Sequence, residues 1–187
     1  SFVKERILKW NLIILSEEIS DDQNEVVLGI TAIQSELEIE AEAECYVKPT
    51  KPSETDGGIS IMDAFTVDTR SEFEEIDTNN FFTYAERFQL VESIFSAITV
   101  FDGAEIGNNL SRTLSTLGVD MQKEAAKGEA SPILQHVLLE HGFVDVISPV
   151  HYGPRRNHCL KQMLNPLTPI PVDEMQSYFG DEIAFYY

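Results

Sequence analysis

Segments of helical period alternate with segments of strand period along this chain, which predicts an α+β fold: one small antiparallel sheet with helices packed on one face. Three observations carry that prediction. Two apolar, β-branched runs flank an acidic turn near the start, a threonine-capped helix with an aromatic stripe stands in the middle, and a helix opened by proline and ended by glycine follows it.

Val3, Ile7 and Trp10 recur at helical spacing, so Ser1 to about Trp10 reads as the end of a helix. Leu12 to Leu15 is a short apolar run, Asp21-Asp22-Gln23-Asn24 is turn chemistry, and Glu25 to Ile30 is rich in β-branched residues. Two antiparallel strands joined by the acidic turn follow. The next stretch supports two readings. From Glu36 to Val47 glutamates alternate with Leu37, Ile39, Ala41, Ala43 and Cys45, the period of a half-buried strand. Glu and Ala are nevertheless strong helix formers, and Ile33, Leu37, Ala41 and Cys45 form a stripe at i+4 spacing. In either form the glutamates read as a solvated face and not as a cation site. Lys48-Pro49-Thr50-Lys51-Pro52-Ser53 then breaks the element and Asp56-Gly57-Gly58 continues it, so residues 49–64 are expected to be a flexible loop.

Thr83 opens the best-signed helix. Thr at the N-cap with Glu86 three residues on makes a capping box, in which each side chain satisfies a backbone N–H left free at the helix start. Tyr84, Phe88, Val91, Phe95 and Ile98 then form a stripe suited to a core. A flexible insertion is expected over residues 118–130, including Met121 to Glu129. Ser131-Pro132 starts another helix with Pro at its first position, and Gly142 ends it. Phe143 to Ile147 reads as a strand stopped by Pro149, and Arg155 to Leu164 as a short basic helix. The expected core includes Phe88, Val91, Phe95, Val137, Leu138 and Val146.

Composition narrows the function classes. The 187 residues suffice for one domain, and 43% of them are hydrophobic, enough for a core. Thirteen basic against thirty-two acidic residues leave a net charge of -19, which excludes a nucleic-acid surface of clustered Lys and Arg and opposes unaided adsorption to an anionic leaflet. Cys45 and Cys159, far apart in sequence, form no framework; the reading is a reduced, cytosolic setting, with one disulfide between them as the alternative. Ser1 to Arg6 runs into an amphipathic pattern with no apolar signal-peptide core.

No catalytic constellation is present in the sequence, so the chain is read as not an enzyme. Asp77-Thr78-Asn79-Asn80 suggests a calcium loop, but Phe82 and Phe88 stand where an EF-hand needs its glycine and its bidentate acid. His136 and His141 sit five apart on the expected helix, on different faces, and His151 with His158-Cys159 lacks a second ligand pair of zinc-site spacing. No metal or cofactor site is expected in this chain.

The most informative segment is the last. Pro171 to Tyr187 reads as a junction helix whose final residues turn apolar, which predicts a continuation past Tyr187; the run itself is far shorter than the ~20 apolar residues that span a bilayer. Its motif Tyr178-Phe179-Gly180-x-x-Ile183-Ala184-x-Tyr186, preceded by Pro171-x-Asp173, resembles the junction before the first transmembrane helix of the anoctamins, the family of calcium-activated chloride channels and phospholipid scramblases. Ile147-Ser148-Pro149-Val150-His151 resembles that family's short strand ending Phe-Pro-Leu-His, with Ser148 and Val150 at the variant positions. Thr83-Tyr84-Ala85-Glu86-Arg87 resembles its helix start Thr-aromatic-or-Met-Ala-Glu. The order and rough spacing are closest to the anoctamin-10-like, plant and fungal branch, over roughly Phe65 to Tyr187.

The resemblance implies a ferredoxin-like cytosolic domain over residues 1–170, here lacking its first strand, with a helix after the second visible strand; together with the helix-forming Glu and Ala, that favours helix over strand for Glu36 to Val47. It implies a regulatory and structural role on the cytoplasmic face of the endoplasmic reticulum or plasma membrane. The full-length protein is expected to be a homodimer that conducts chloride, scrambles phospholipids or does both, with the calcium sites in the absent transmembrane part. Tyr178, Phe179, Gly180, Ile183, Phe185 and Tyr186 would form the membrane junction. Arg155, Arg156 and Lys161, on the basic helix just before it, would face lipid headgroups. The competing reading is a free-standing acidic interaction module that meets basic partners electrostatically.

Overall fold

The structure, a computed structural model, describes residues 11–19, 25–52, 58–76, 78, 81–100, 112, 114–127, 133–150, 153–165 and 169–185. The helix expected at Ser1 to Trp10, the acidic turn at Asp21 to Asn24 and most of the Asp77-Asn80 loop lie outside them. The fold class is α+β, and the chain divides into two compact units, Ser1–Thr31 with Glu92–Ser148 and Ala32–Val91 with Pro149–Tyr187.

In the first unit the two apolar runs form strands β1 (Leu12–Ile19) and β2 (Val26–Ala32), a two-stranded antiparallel sheet longer than the runs themselves. The strands approach closely at Gly29, where an added Cβ would lie 2.5 Å from Ser16 Oγ, so this position accepts only glycine without a shift. Further along this unit Thr99 bridges Ile133, and Leu134 N–H donates to the Ile98 carbonyl at 2.8 Å.

Two sequence expectations fail in this unit for local reasons. The expected insertion contains a helix at Met121–Lys127, because the Asp120 carboxylate accepts the free N–H groups of Gln122 and Lys123 at 3.1 and 3.3 Å and so caps its start. The strand expected at Phe143 to Ile147 is irregular. After the helix Leu134–Glu140, Gly142 takes a φ of 69°, and the N–H groups of Phe143 and Val144 fold back onto the Leu138 carbonyl, closing the helix end instead of entering a ladder. Val146, expected in the core, is 71% exposed, whereas Val137 and Leu138 are buried as expected.

The second unit opens with the ambiguous glutamate-rich stretch, which is a helix, α1 (Gln34–Ala43), burying Leu37 and Ala41. It stops where Cys45 turns to a φ of 54° and Tyr46 N–H caps the Ala41 carbonyl. The expected loop at residues 49–64 instead contributes to a second antiparallel sheet. β3 (Val47–Pro49) pairs with β4 (Met62–Ala64) in the register Val47↔Ala64, Lys48↔Asp63, Pro49↔Met62. Pro49 fits there because the N–H that joins this end of the ladder comes from Thr50, which donates to the Ile61 carbonyl at 2.8 Å, while the Pro49 carbonyl accepts the Glu74 N–H at 3.0 Å on the other side. The described residues thus hold two separate two-stranded sheets where one sheet was expected.

Helix α2 (Tyr84–Ser96) begins in this unit as predicted, and the Met121–Lys127 and Leu134–Glu140 helices are α3 and α4. Its apolar stripe is turned slightly from the predicted one: Leu90, Ile94, Phe95 and Ile98 are buried, while Phe88 and Val91 are half-buried. The basic helix is α5 (Gly153–Met163). The junction helix is divided into α6 (Val172–Phe179) and α7 (Asp181–Phe185) by Gly180, whose φ of 92° breaks the helical path.

Candidate functional site at the helix junction

The site is assembled around the start of α2. Glu86 Oε2 accepts the Thr83 N–H at 2.7 Å, and Thr83 Oγ1 accepts the Glu86 N–H at 3.3 Å, which is the capping box predicted from sequence. The same carboxylate oxygen accepts from Lys48 Nζ at 2.5 Å, across thirty-eight residues of sequence. Only 7% of the Lys48 side chain is exposed, and its ammonium lies 5.3 Å from the ring centres of both Phe81 and Phe82. A buried cation is tolerated here because it has a counter-charge and two aromatic faces at once. Phe65 packs edge-on to Phe73 at 5.1 Å and against Phe81 at 5.3 Å, completing an aromatic floor beneath this pair.

Other charges in this unit are similarly held. Arg70 donates through two nitrogens to the buried Glu38 carboxylate at 2.9 and 3.3 Å. Arg87 donates to the Phe82 carbonyl and to Gln34 Oε1, and its burial pulls the guanidinium below its ordinary value. Tyr46 donates its hydroxyl to Gln89 Oε1 at 2.9 Å; burial, then the neighbouring Glu86 and Glu44, push that phenol up.

The chain end docks on the same helix start. Tyr84 and Tyr178 stack with ring centres 4.8 Å apart and planes 14° from parallel. Gly180 passes close to α2, with the position of its missing Cβ 3.7 Å from the Ala85 Cβ. Burial and then Tyr178 push the Tyr84 phenol up. Met175, Tyr178 and Ala184 are buried, Phe179 is half-buried, and Ile183 and Phe185 face outward, Phe185 at 87% exposure. Tyr186 lies outside the described residues. Among the described residues no helix is long and apolar enough to cross a membrane.

The basic residues of α5 are not all on one line. Arg156, Leu160 and Leu164 follow one another at helical spacing on the exposed side with Lys161 beside them, whereas Arg155 sits one turn before the buried Cys159, at the edge of the packed face. Burial, then Glu174, push the Cys159 thiol up, with Arg155 acting in the opposite sense, so it remains an inert thiol. Both described cysteines are free.

Among the described residues one group brings metal-ligand atoms together: Glu124, Glu140 and His141, all within 4.8 Å of one another. His141 Nε2 and Glu124 Oε1 are 3.2 Å apart, and that pairing accounts for the burial of the carboxylate without an ion. His136 is exposed and apart from it, as its spacing indicated. Glu124 and Lys48 are the residues sequence reasoning missed. Their partners lie seventeen and thirty-eight positions away, and no local spacing announces either pair.

No family model and no curated protein matches this chain.

Proposed function

We propose that this chain is the non-catalytic, amino-terminal cytosolic domain of an anoctamin-like membrane protein, in which it regulates and supports the transport of chloride, phospholipid or both. One observation carries the reading. Two of the sequence blocks that carry the resemblance, Thr83 to Arg87 and the described part of the junction motif, Tyr178 to Ala184, are far apart in the chain and pack together in one unit through the Tyr84–Tyr178 stack and the Gly180–Ala85 approach. A domain whose own best-capped helix grips the segment leading out of it is suited to transmit a displacement into whatever follows. Phe185 and Ile183, turned outward on α7, are the groups such a continuation would cover.

The experiment is made in the full-length parent. Tyr84→Ala and Tyr178→Ala should alter chloride current or lipid scrambling in reconstituted vesicles while the domain remains folded by circular dichroism. Unchanged transport in both folded variants would overturn the proposal. So would a parent sequence that stops, or turns polar, after Tyr187 in place of about 20 apolar residues; the chain would then be an acidic interaction module.

A further inference from the structure

From Val146 to Val172 the sequence contains no Asp or Glu, although the chain as a whole has thirty-two acids against thirteen bases. The structure gives this gap a surface. Arg155, Arg156 and Lys161 are all exposed, and among the described residues none of them is ion-paired, while the cations Lys48 and Arg70 each hold a buried or half-buried carboxylate. In a chain so rich in carboxylates, cations left without one are available to an anion from outside. Aliphatic side chains are interleaved with them. Leu160, 43% exposed, lies on the Arg156 line of α5, Leu164, 81% exposed, follows the helix end at the same spacing, and Val150, Ile170 and Val172 are exposed in the same stretch.

We propose that the exposed side of α5 is a membrane-docking face, with Arg156 and Lys161 meeting anionic lipid headgroups and Leu160 and Leu164 entering the interface between headgroups and acyl chains. Cations interleaved with exposed aliphatics fit a bilayer surface, where both are satisfied together. A soluble acidic partner would use the charges and leave Leu164 in water. The net charge of -19 does not prevent contact, because at physiological salt the Debye length is about 8 Å and a bilayer touching α5 responds to the local cations. This inference deepens the proposed function and rests on it for bringing the domain to the bilayer.

The test uses the full chain carrying a carboxyl-terminal histidine tag, held on vesicles by a nickel-chelating lipid so that surface density is fixed. An environment-sensitive fluorophore is placed at Leu164→Cys in a Cys45→Ser background. The emission should shift to the blue on vesicles of phosphatidylcholine with phosphatidylserine and not on phosphatidylcholine alone. The same label at Ile39→Cys, on the glutamate-rich α1, should not respond. Arg156→Glu with Lys161→Glu should reduce the shifted population about tenfold or more, with circular dichroism unchanged.

Equal emission on the two vesicle types, or an unaffected charge-reversed variant, would overturn the docking face. A shift produced by soluble polyglutamate without vesicles would make the partner an acidic chain and overturn the bilayer. None of these results touches the transport assay on Tyr84 and Tyr178, so the two ideas fail separately.

Discussion

Replacing one member of the Lys48–Glu86 pair at a time should give unequal losses, and the inequality tests whether the pair is a buried charge site or a surface bridge. Lys48→Met leaves Glu86 still accepting the Thr83 N–H, and the methionine fills the space against Phe81 and Phe82 with a thioether that suits aromatic rings. The loss is then a charge-assisted hydrogen bond of about 1.5–3 kcal/mol, offset in part because a cation no longer has to be desolvated; we expect a net cost of about 1–2 kcal/mol. Glu86→Ala is worse. It strands an ammonium whose side chain is 7% exposed, and it takes the carboxylate from the Thr83 N–H, leaving only the Thr83 Oγ1 half of the capping box at the start of α2. Removing one partner of a buried pair costs about 3–5 kcal/mol, and the 24% exposure of the Glu86 side chain places this site toward the lower end of that range. The double variant should be more stable than Glu86→Ala alone, because no orphaned cation remains. Urea unfolding followed by circular dichroism measures all three. Equal losses for the two single variants, or a double variant equal to their sum, would refute the reasoning.

Further outcomes follow from burial and ionisation. Phe95→Ala should cost about 3–5 kcal/mol, with a loss under ~1 kcal/mol placing the wrong face of α2 inward, whereas Val146→Ala should stay within about 0.5 kcal/mol. Tyr46 and Tyr84 have phenols raised above their ordinary value of 10.0, first by burial. Their contribution to stability is therefore present in full below that value and lost as pH rises through the raised ones. Alkaline unfolding should begin above pH 10.0, and Tyr84→Phe should flatten it; an unchanged alkaline limb would show that Tyr84 does not titrate with unfolding. Calorimetry should detect no stoichiometric micromolar site for calcium or zinc. Glu124, Glu140 and His141 fall short of the roughly six to eight oxygens that calcium takes, and a one-to-one isotherm abolished by His141→Ala would overturn this.

The features legible in the sequence are those whose physical cause is local. The capping box needs only residues three apart, and it forms as Thr83 and Glu86 indicate. Gly142 ends its helix because only glycine takes a φ of 69° without strain. The glutamate run is a helix although its alternation is perfect. Leu37 and Ala41 bury at i+4, and Glu38 finds Arg70 instead of water, so a tertiary partner decides between two patterns of comparable local strength. What was illegible depends on partners far along the chain. β3 and β4 are too short to show a period, and the residues that make Lys48 part of the core are Phe81, Phe82 and Glu86.

The candidate junction divides along the same line. Its apolar residues were visible, but which of them turn inward was not, because that choice is made by Gly180 and by the ring of Tyr84. With Tyr178 and Ala184 buried on one side and Ile183 and Phe185 exposed on the other, α6 and α7 cannot be a uniformly greasy stub. They are two short helices turned at Gly180 and held on one side by Tyr178 and Ala184. A pull on Phe185 would be opposed by the buried Ala184, by the approach of Gly180 to Ala85 and by the Tyr84–Tyr178 stack, and the stack is the point at which the proposed coupling can be cut without disturbing the aromatic floor around Lys48.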